Sequence, residues 1–219
     1  MAQGYVRAAD LPQVIPIFPL PGAILLPRGQ LPLNIFEPRY LNMVDDAMAG
    51  DRIIGMIQPT AGPQSLPGLS PIGCAGRITS FAETSDGRYL ITLTGCARFR
   101  LSSELPTQTP YRQIRADFSP FDADLAAPPK DDAGLDRDHL LDALRAYLET
   151  RGLDIDWDTA EGAPPEALIN SLSMALPFEP PEKQALLEAP SLSDRASVLT
   201  ALLTIDAAGD GDGETPSMQ

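Results

Sequence analysis

Leu31-Pro32-Leu33-Asn34-Ile35-Phe36-Glu37-Pro38-Arg39-Tyr40 is the stretch on which the reading of this chain turns. Leu31 to Phe36 has the apolar density of a buried strand, and it runs directly into Glu37-Pro38. Proline suits the first position of a helix because the N–H it lacks would have no partner there. A carboxylate beside that end faces the positive pole of the helix dipole. Tyr40, Leu41, Val44, Ala47 and Met48 then recur on one helical face, and Gly50 is a natural stop. A further strand follows over Arg52 to Ile57. The expected order is strand, sharp corner, short amphipathic helix, strand.

On the N-terminal side, Val14 to Leu20 reads as a strand whose Pro16 and Pro19 limit its pairing, and Ala23 to Leu26 as a second extended piece after the turn Pro21-Gly22. On the other side, Pro59 to Pro71 is rich in Pro, Gly and Ser and reads as a long exposed loop. Ile72 to Phe81 and Arg88 to Thr94 flank Thr84-Ser85-Asp86-Gly87, a strong hairpin signal. Gly95 permits a bend or bulge, Phe99 and Leu101 alternate with Arg98 and Arg100, and Ile114, Ala116 and Phe118 mark a last strand. Short strands around one helix predict a mostly antiparallel β-barrel or rolled sheet over residues 1–118.

Residues 119–132 read as a Pro/Ala/Asp linker, after which the apolar period changes from two to 3.6. Leu140, Leu141, Leu144, Tyr147 and Leu148 predict one helix. Leu168, Ile169, Leu172, Ala175 and Leu176 predict another. Pro180-Pro181-Glu182 opens a short third, and Ser191 with Asp194 resembles a capping box before a fourth that carries Leu192, Ala196, Leu199, Leu202 and Leu203 on its inner face. Residues 133–206 are therefore expected to be a helical lobe, and residues 207–219 a disordered acidic tail. The fold class is α+β.

Charge divides at the same place. Residues 1–118 hold ten Lys+Arg against nine Asp+Glu, whereas residues 119–219 hold six against 21, so nearly all of the net charge of −14 lies in the second half. Like-charge repulsion argues against nucleic acid or an anionic membrane as a partner of that half. No apolar run is long enough to span a bilayer, the first residues lack a signal-peptide core, and two cysteines form no disulfide framework, so the cytoplasm is the expected location.

The inventory for catalysis is thin. The single histidine, His139, sits near the start of an acidic helix and reads as solvated. A Ser–Lys dyad needs a desolvated lysine, yet Lys130 falls in the linker and Lys183 near an exposed helix start. No Gly-Lys-Ser/Thr is present to cradle a nucleotide. Cys74, Cys96 and one histidine do not make a zinc site, and both cysteines read as small apolar fillers of strands. Asp154-Ile155-Asp156-Trp157-Asp158 imitates the start of a calcium loop, but Thr159 and Pro165 stand where glycine and the bidentate glutamate belong. No enzyme activity, metal or cofactor is expected. Arg77, Arg98, Arg100, Arg112 and Arg115 lie on predicted strands; they are expected to pair with Glu37, Glu83, Glu104 or Asp117 or to be solvated, and a contiguous basic face binding RNA is the alternative. A Glu37–arginine pair at the corner is expected to fix the helix against the sheet.

Phe18-Pro19-Leu20-Pro21-Gly22 and Ile35-Phe36-Glu37-Pro38-Arg39-Tyr40 resemble the amino-terminal substrate-binding domain of the Lon ATP-dependent proteases, which also occurs as free-standing bacterial proteins. Ile72 to Ile78, Leu93 to Phe99 and Leu176 to Glu188 are similar to its central strands and terminal helices, so that the likeness spans roughly residues 12–205. It implies a PUA-like β lobe followed by a helical lobe. It also implies a non-catalytic protein-recognition module that binds unfolded or tagged polypeptides, or an adaptor to a separate protease or chaperone, without ATPase or peptidase modules. Binding of apolar segments is expected along a groove between the lobes or near Pro59 to Pro71, with Leu66 and Leu69 as contacts and the acidic lobe attracting basic segments. Glu37, Pro38, Arg39 and Tyr40 are assigned to the fold.

Overall fold

The computed structural model describes residues 5–62, 67–127 and 135–209. The chain divides into two compact units, Met1–Pro128 with Pro177–Leu187, and Pro129–Leu176 with Glu188–Gln219.

The first unit is built on six strands: β1 Val14–Pro19, β2 Gln30–Ile35, β3 Ile53–Ile57, β4 Ile72–Glu83, β5 Tyr89–Leu105 and β6 Gln113–Asp117. Their order is β2-β5-β4-β3-β1-β6, and β6 also pairs with β5, so five strands close into a barrel with β2 alongside. All pairings are antiparallel except β1 with β3, where Ile17 lies opposite Gly55. Helix α1, Pro38–Ala49, supplies the crossover that a parallel pair requires. β5 is long enough to pair with β2 in its first half and with β6 in its second, and register shifts at Ala75/Gly76 and Leu101/Ser103 accompany the curl.

Inside the barrel, Ile15, Ile17, Ile53, Phe99, Ile114 and Phe118 belong to one buried cluster. Cys74 and Cys96 are buried free thiols in these strands, and burial pushes the Cys96 thiol up to about 11, which makes it inert. The piece Ala23 to Leu26 is not a strand; Ile24, Leu25 and Leu26 are nonetheless buried, and the chain there crosses β5 at Gly95. Arg28 donates its backbone N–H to the Gly95 carbonyl and Gly95 donates to that of Gly29, at 2.8 and 2.9 Å. A Cβ on Gly95 would lie 2.0 Å from the Leu26 oxygen, so only glycine fits. The Asp86-Gly87 hairpin forms as its sequence requires, with Gly87 at φ +80.

Three features depart from expectation. β2 is an edge strand with Pro32 exposed and Phe36 64% exposed, rather than a buried one, because it pairs only with β5. The stretch expected to be a linker begins with a 3-10 helix, Ser119–Leu125, which buries Asp124 and Leu125. Helix α5, Pro180–Glu188 by its hydrogen bonding, belongs through Leu187 to the barrel unit rather than to the other helices. Gln58 Nε2 donates to the Pro180 carbonyl at 2.9 Å, and Gln184 Nε2 to that of Ile72 at 3.0 Å.

The second unit contains α2 Arg137–Thr150, α3 Trp157–Gly162, α4 Pro165–Ala175 and α6 Leu192–Gly209. α2 buries Leu140, Leu141, Leu144, Tyr147 and Leu148 as its period predicts. α4 buries Leu168 and Ile169 as its period predicts, but also Asn170 and Ser173 in place of Leu172, Ala175 and Leu176; buried Arg195 of α6 donates to Asn170 Oδ1 at 3.1 Å. The capping box is present: Ser191 N–H donates to Asp194 Oδ2 and Asp194 N–H to Ser191 Oγ. α6 runs to Gly209, three residues into the expected tail, and residues 210–219 lie outside the described part.

Candidate functional site

α1 is fixed at three points. Glu37 is its N-cap and Pro38 its first residue; Tyr40 packs its ring on Phe18 at 4.4 Å. Farther along, Tyr89 donates to Asp45 at 3.0 Å and Tyr111 to Asp46 at 2.6 Å. The expected bridge from Glu37 to the sheet is not made. Glu37 pairs with Arg39 two residues on, at 2.8 Å, and the two side chains are 45% and 51% exposed. The carboxylate of an N-cap residue lies over the first turn, where Arg39 is its neighbour, so the pair is local. Arg39 in turn lies over the Tyr40 ring at 4.5 Å.

The loop after β3 is drawn in beside this corner. A single bridge joins Pro59 to Leu69, Thr60 N–H donates to the Gly68 carbonyl, and Arg112 Nη1 donates to that of Pro67 at 2.9 Å. Arg112 is itself held by Glu104, with both contacts at 2.7 Å. Leu69, expected as an outward contact, is half-buried and packs against the barrel core; Leu66 lies outside the described residues.

These elements enclose a cavity of about 340 Å³ walled by five prolines, Pro19, Pro21, Pro59, Pro67 and Pro110. Tyr40, Tyr111, Arg39 and Arg112 complete it. Burial raises the Tyr40 phenol above its ordinary value, with Arg39 and Arg112 close enough to oppose the shift. Burial and the bond to Asp46 push Tyr111 up to about 12, so both rings present neutral hydroxyls. Proline and aromatic walls suit an apolar side chain carried on an extended segment, with Arg39 and Arg112 as the charged donors among them. The sequence motifs around Pro19 and Arg39 were legible; that Tyr111 and Arg112 join them was not, because nothing local ties residue 112 to residue 39.

A larger cavity of about 490 Å³ lies in the helical unit, beside His139, Ala196, Ala201 and Ile205. His139 is exposed there. The remaining candidates are structural. Asp154 accepts from Trp157 Nε1, and Asp156 caps α3 through Thr159. Arg98 is buried on Asp124 and Arg112 is paired with Glu104, so these two strand arginines are taken up by carboxylates, and the RNA alternative has no support. Lys183 is not exposed but 2% accessible, set 5.9 Å from the Phe178 ring, and burial lowers its pKa to about 8. Lys130 lies outside the described residues. No cluster of three His, Cys, Asp or Glu is placed to hold a metal, and no helix is long and apolar enough to cross a membrane, among the described residues.

Residues 14–204 match the family described as the ATP-dependent protease La (LON) substrate-binding domain. Lon protease 2 of Myxococcus xanthus is 32% identical over 117 residues, 52% of this chain and 14% of that protease. Lon protease 2 of Sorangium cellulosum is 27% identical over 207 residues, 86% of this chain and 24% of that protease. The chain thus spans between a seventh and a quarter of these relatives. The fold is that of the Lon N-terminal domain protein from Xanthomonas campestris, with a TM-score of 0.60 at 22% identity, covering 86% of this chain and 97% of that one. It is also that of the N-terminal domain of Mycobacterium avium complex Lon protease, with a TM-score of 0.62 at 17% identity, covering 92% and 100%.

Proposed function

Because the chain belongs to the ATP-dependent protease La (LON) substrate-binding domain family, we propose that it is a non-catalytic polypeptide-recognition module whose contact site is the proline-walled cavity. The observation that carries this is convergence. The two motifs that contribute Pro21 and Tyr40 meet the loop anchored by Pro59 and Pro67 in one concave surface of prolines, tyrosines and arginines. In this reading Arg39 and Tyr40 serve binding as well as the fold.

The mechanism is the insertion of an apolar side chain of an unfolded segment between proline rings. Removing a Leu- or Phe-sized side chain from water contributes about 2–3 kcal/mol. That is weak, and it suits a surface that samples many sequences and releases most of them.

The experiment compares a permanently unfolded polypeptide with its folded parent by fluorescence anisotropy. The unfolded form is expected to bind the chain, and Pro21→Trp, which fills the cavity from an exposed position, to weaken it. Equal binding of folded and unfolded forms would remove the recognition reading. Binding that ignores Pro21→Trp would move the site elsewhere.

A further inference from the structure

The charged side chains that line the cavity are both cations, Arg39 and Arg112. Their hydrogen-bonding capacities differ. Arg112 uses Nε and Nη2 on Glu104 and Nη1 on the Pro67 carbonyl, so its guanidinium is engaged on every nitrogen. Arg39 directs both Nε and Nη2 at one oxygen, Glu37 Oε2, at 2.9 and 2.8 Å. Its Nη1 has no partner among the described residues. The pair is about half exposed on both sides, and an ion pair so placed is held only weakly, so it leaves Arg39 able to engage another carboxylate. Tyr40 lines the same cavity, and its hydroxyl makes no hydrogen bond among the described residues; like any neutral phenol it can donate one.

Resting on the polypeptide-recognition reading, we propose that the cavity selects segments in which a carboxylate adjoins an apolar side chain. The carboxylate accepts from Arg39 Nη1 and the Tyr40 hydroxyl while the side chain enters among the prolines. Guanidinium–carboxylate contacts are strong and directional, and they add selectivity to an apolar pocket that has little of its own. A chain's C-terminus and an Asp or Glu side chain offer the same group.

Three fluorescein-labelled peptides on one Gly/Ser body distinguish these sources. One ends in Pro-Leu with a free carboxylate, one carries the same ending as an amide, and one places Leu-Asp internally with an amidated end. The free acid is expected to bind about tenfold more tightly than the amide, the gain of one charge-assisted contact. Arg39→Gln is expected to erase that difference and Tyr40→Phe to reduce it. Glu37→Gln, which removes the competing carboxylate, is expected to tighten the acid; a merely structural Glu37–Arg39 pair would make both variants equally harmful. If the internal Leu-Asp peptide matches the acid, side-chain and terminal carboxylates are both accepted; if it matches the amide, only the terminus is. Acid and amide binding alike, or a difference that survives Arg39→Gln, would overturn the proposal. Continued binding of the unfolded polypeptide in that case would leave the recognition reading standing, and its loss would remove both.

Discussion

Arg98 clasps Asp124 through two contacts of 2.9 Å, Nε to Oδ2 and Nη2 to Oδ1, with both side chains less than a tenth exposed. The same guanidinium donates to the Leu187 carbonyl at 3.2 Å and lies 4.7 Å from the Phe121 ring. One strand residue thereby joins the 3-10 helix after the barrel to the helix that returns from residue 177. Arg28 adds a bond to the Asp124 carbonyl.

Removing one partner of a buried pair leaves a desolvated charge, at a cost of about 3–5 kcal/mol. Asp124→Ala is therefore expected to destabilise the barrel unit by that amount in urea unfolding. The double variant Arg98→Met, Asp124→Leu is expected to recover much of the loss. A double variant as unstable as the sum of its singles would show that Arg98 and Asp124 are not coupled, and would remove the buried charge left unpaired as the source of the loss.

The elements that could be read from sequence are those whose cause is local. Pro38 and Gly50 bound α1, Asp86-Gly87 turns the hairpin, and Ser191 with Asp194 opens α6. The face of α1 was nearly right, with Met43 in the buried set and Leu41 and Met48 only partly covered. Elements decided by a distant partner were not legible. Arg98 alternates with Phe99 as a solvent-facing residue would, and Asp124, 26 residues away, is what buries it. Asn170 turns inward, where Arg195, 25 residues away, donates to it. Lys183 looks exposed at a helix start until that helix packs on the barrel.

Gly95 supplies a second test of the barrel. A methyl group there meets backbone on every near side, 2.0 Å from the Leu26 oxygen, 2.8 Å from its carbonyl carbon and 3.2 Å from the Pro27 Cα. Gly95→Ala is expected to lower stability by about 2–3 kcal/mol by forcing residues 26–29 off β5. Faster amide exchange at Arg28 and Gly95, which are hydrogen-bonded across this crossing, would locate the damage.

Tyr111 and Asp46 test how the cavity wall is held. Their 2.6 Å bond joins the segment before β6 to α1, and a hydrogen bond to a charged group in a half-covered place contributes about 1–2 kcal/mol. Tyr111→Phe and Asp46→Ala are each expected to lose roughly that much. The double variant is expected to lose little more than either single, since the two act as one unit.

The pH dependence of stability separates two groups in opposite directions. Lys183 has its folded pKa lowered to about 8 from 10.5, so between those values the unfolded chain binds more protons than the folded one. Stability therefore rises with pH across that window, with a slope of at most about 1.4 kcal/mol per pH unit. Tyr111 is raised to about 12 from 10.0, so its contribution is whole below pH 10 and is lost between about pH 10 and 12. Unfolding followed from pH 7 to 11 should show Lys183→Met flattening the rise above pH 8, while Tyr111→Phe leaves that rise intact and softens the fall above pH 10. A Lys183→Met profile parallel to the unaltered protein across pH 8–10 would mean that the Lys183 ammonium is solvated after all.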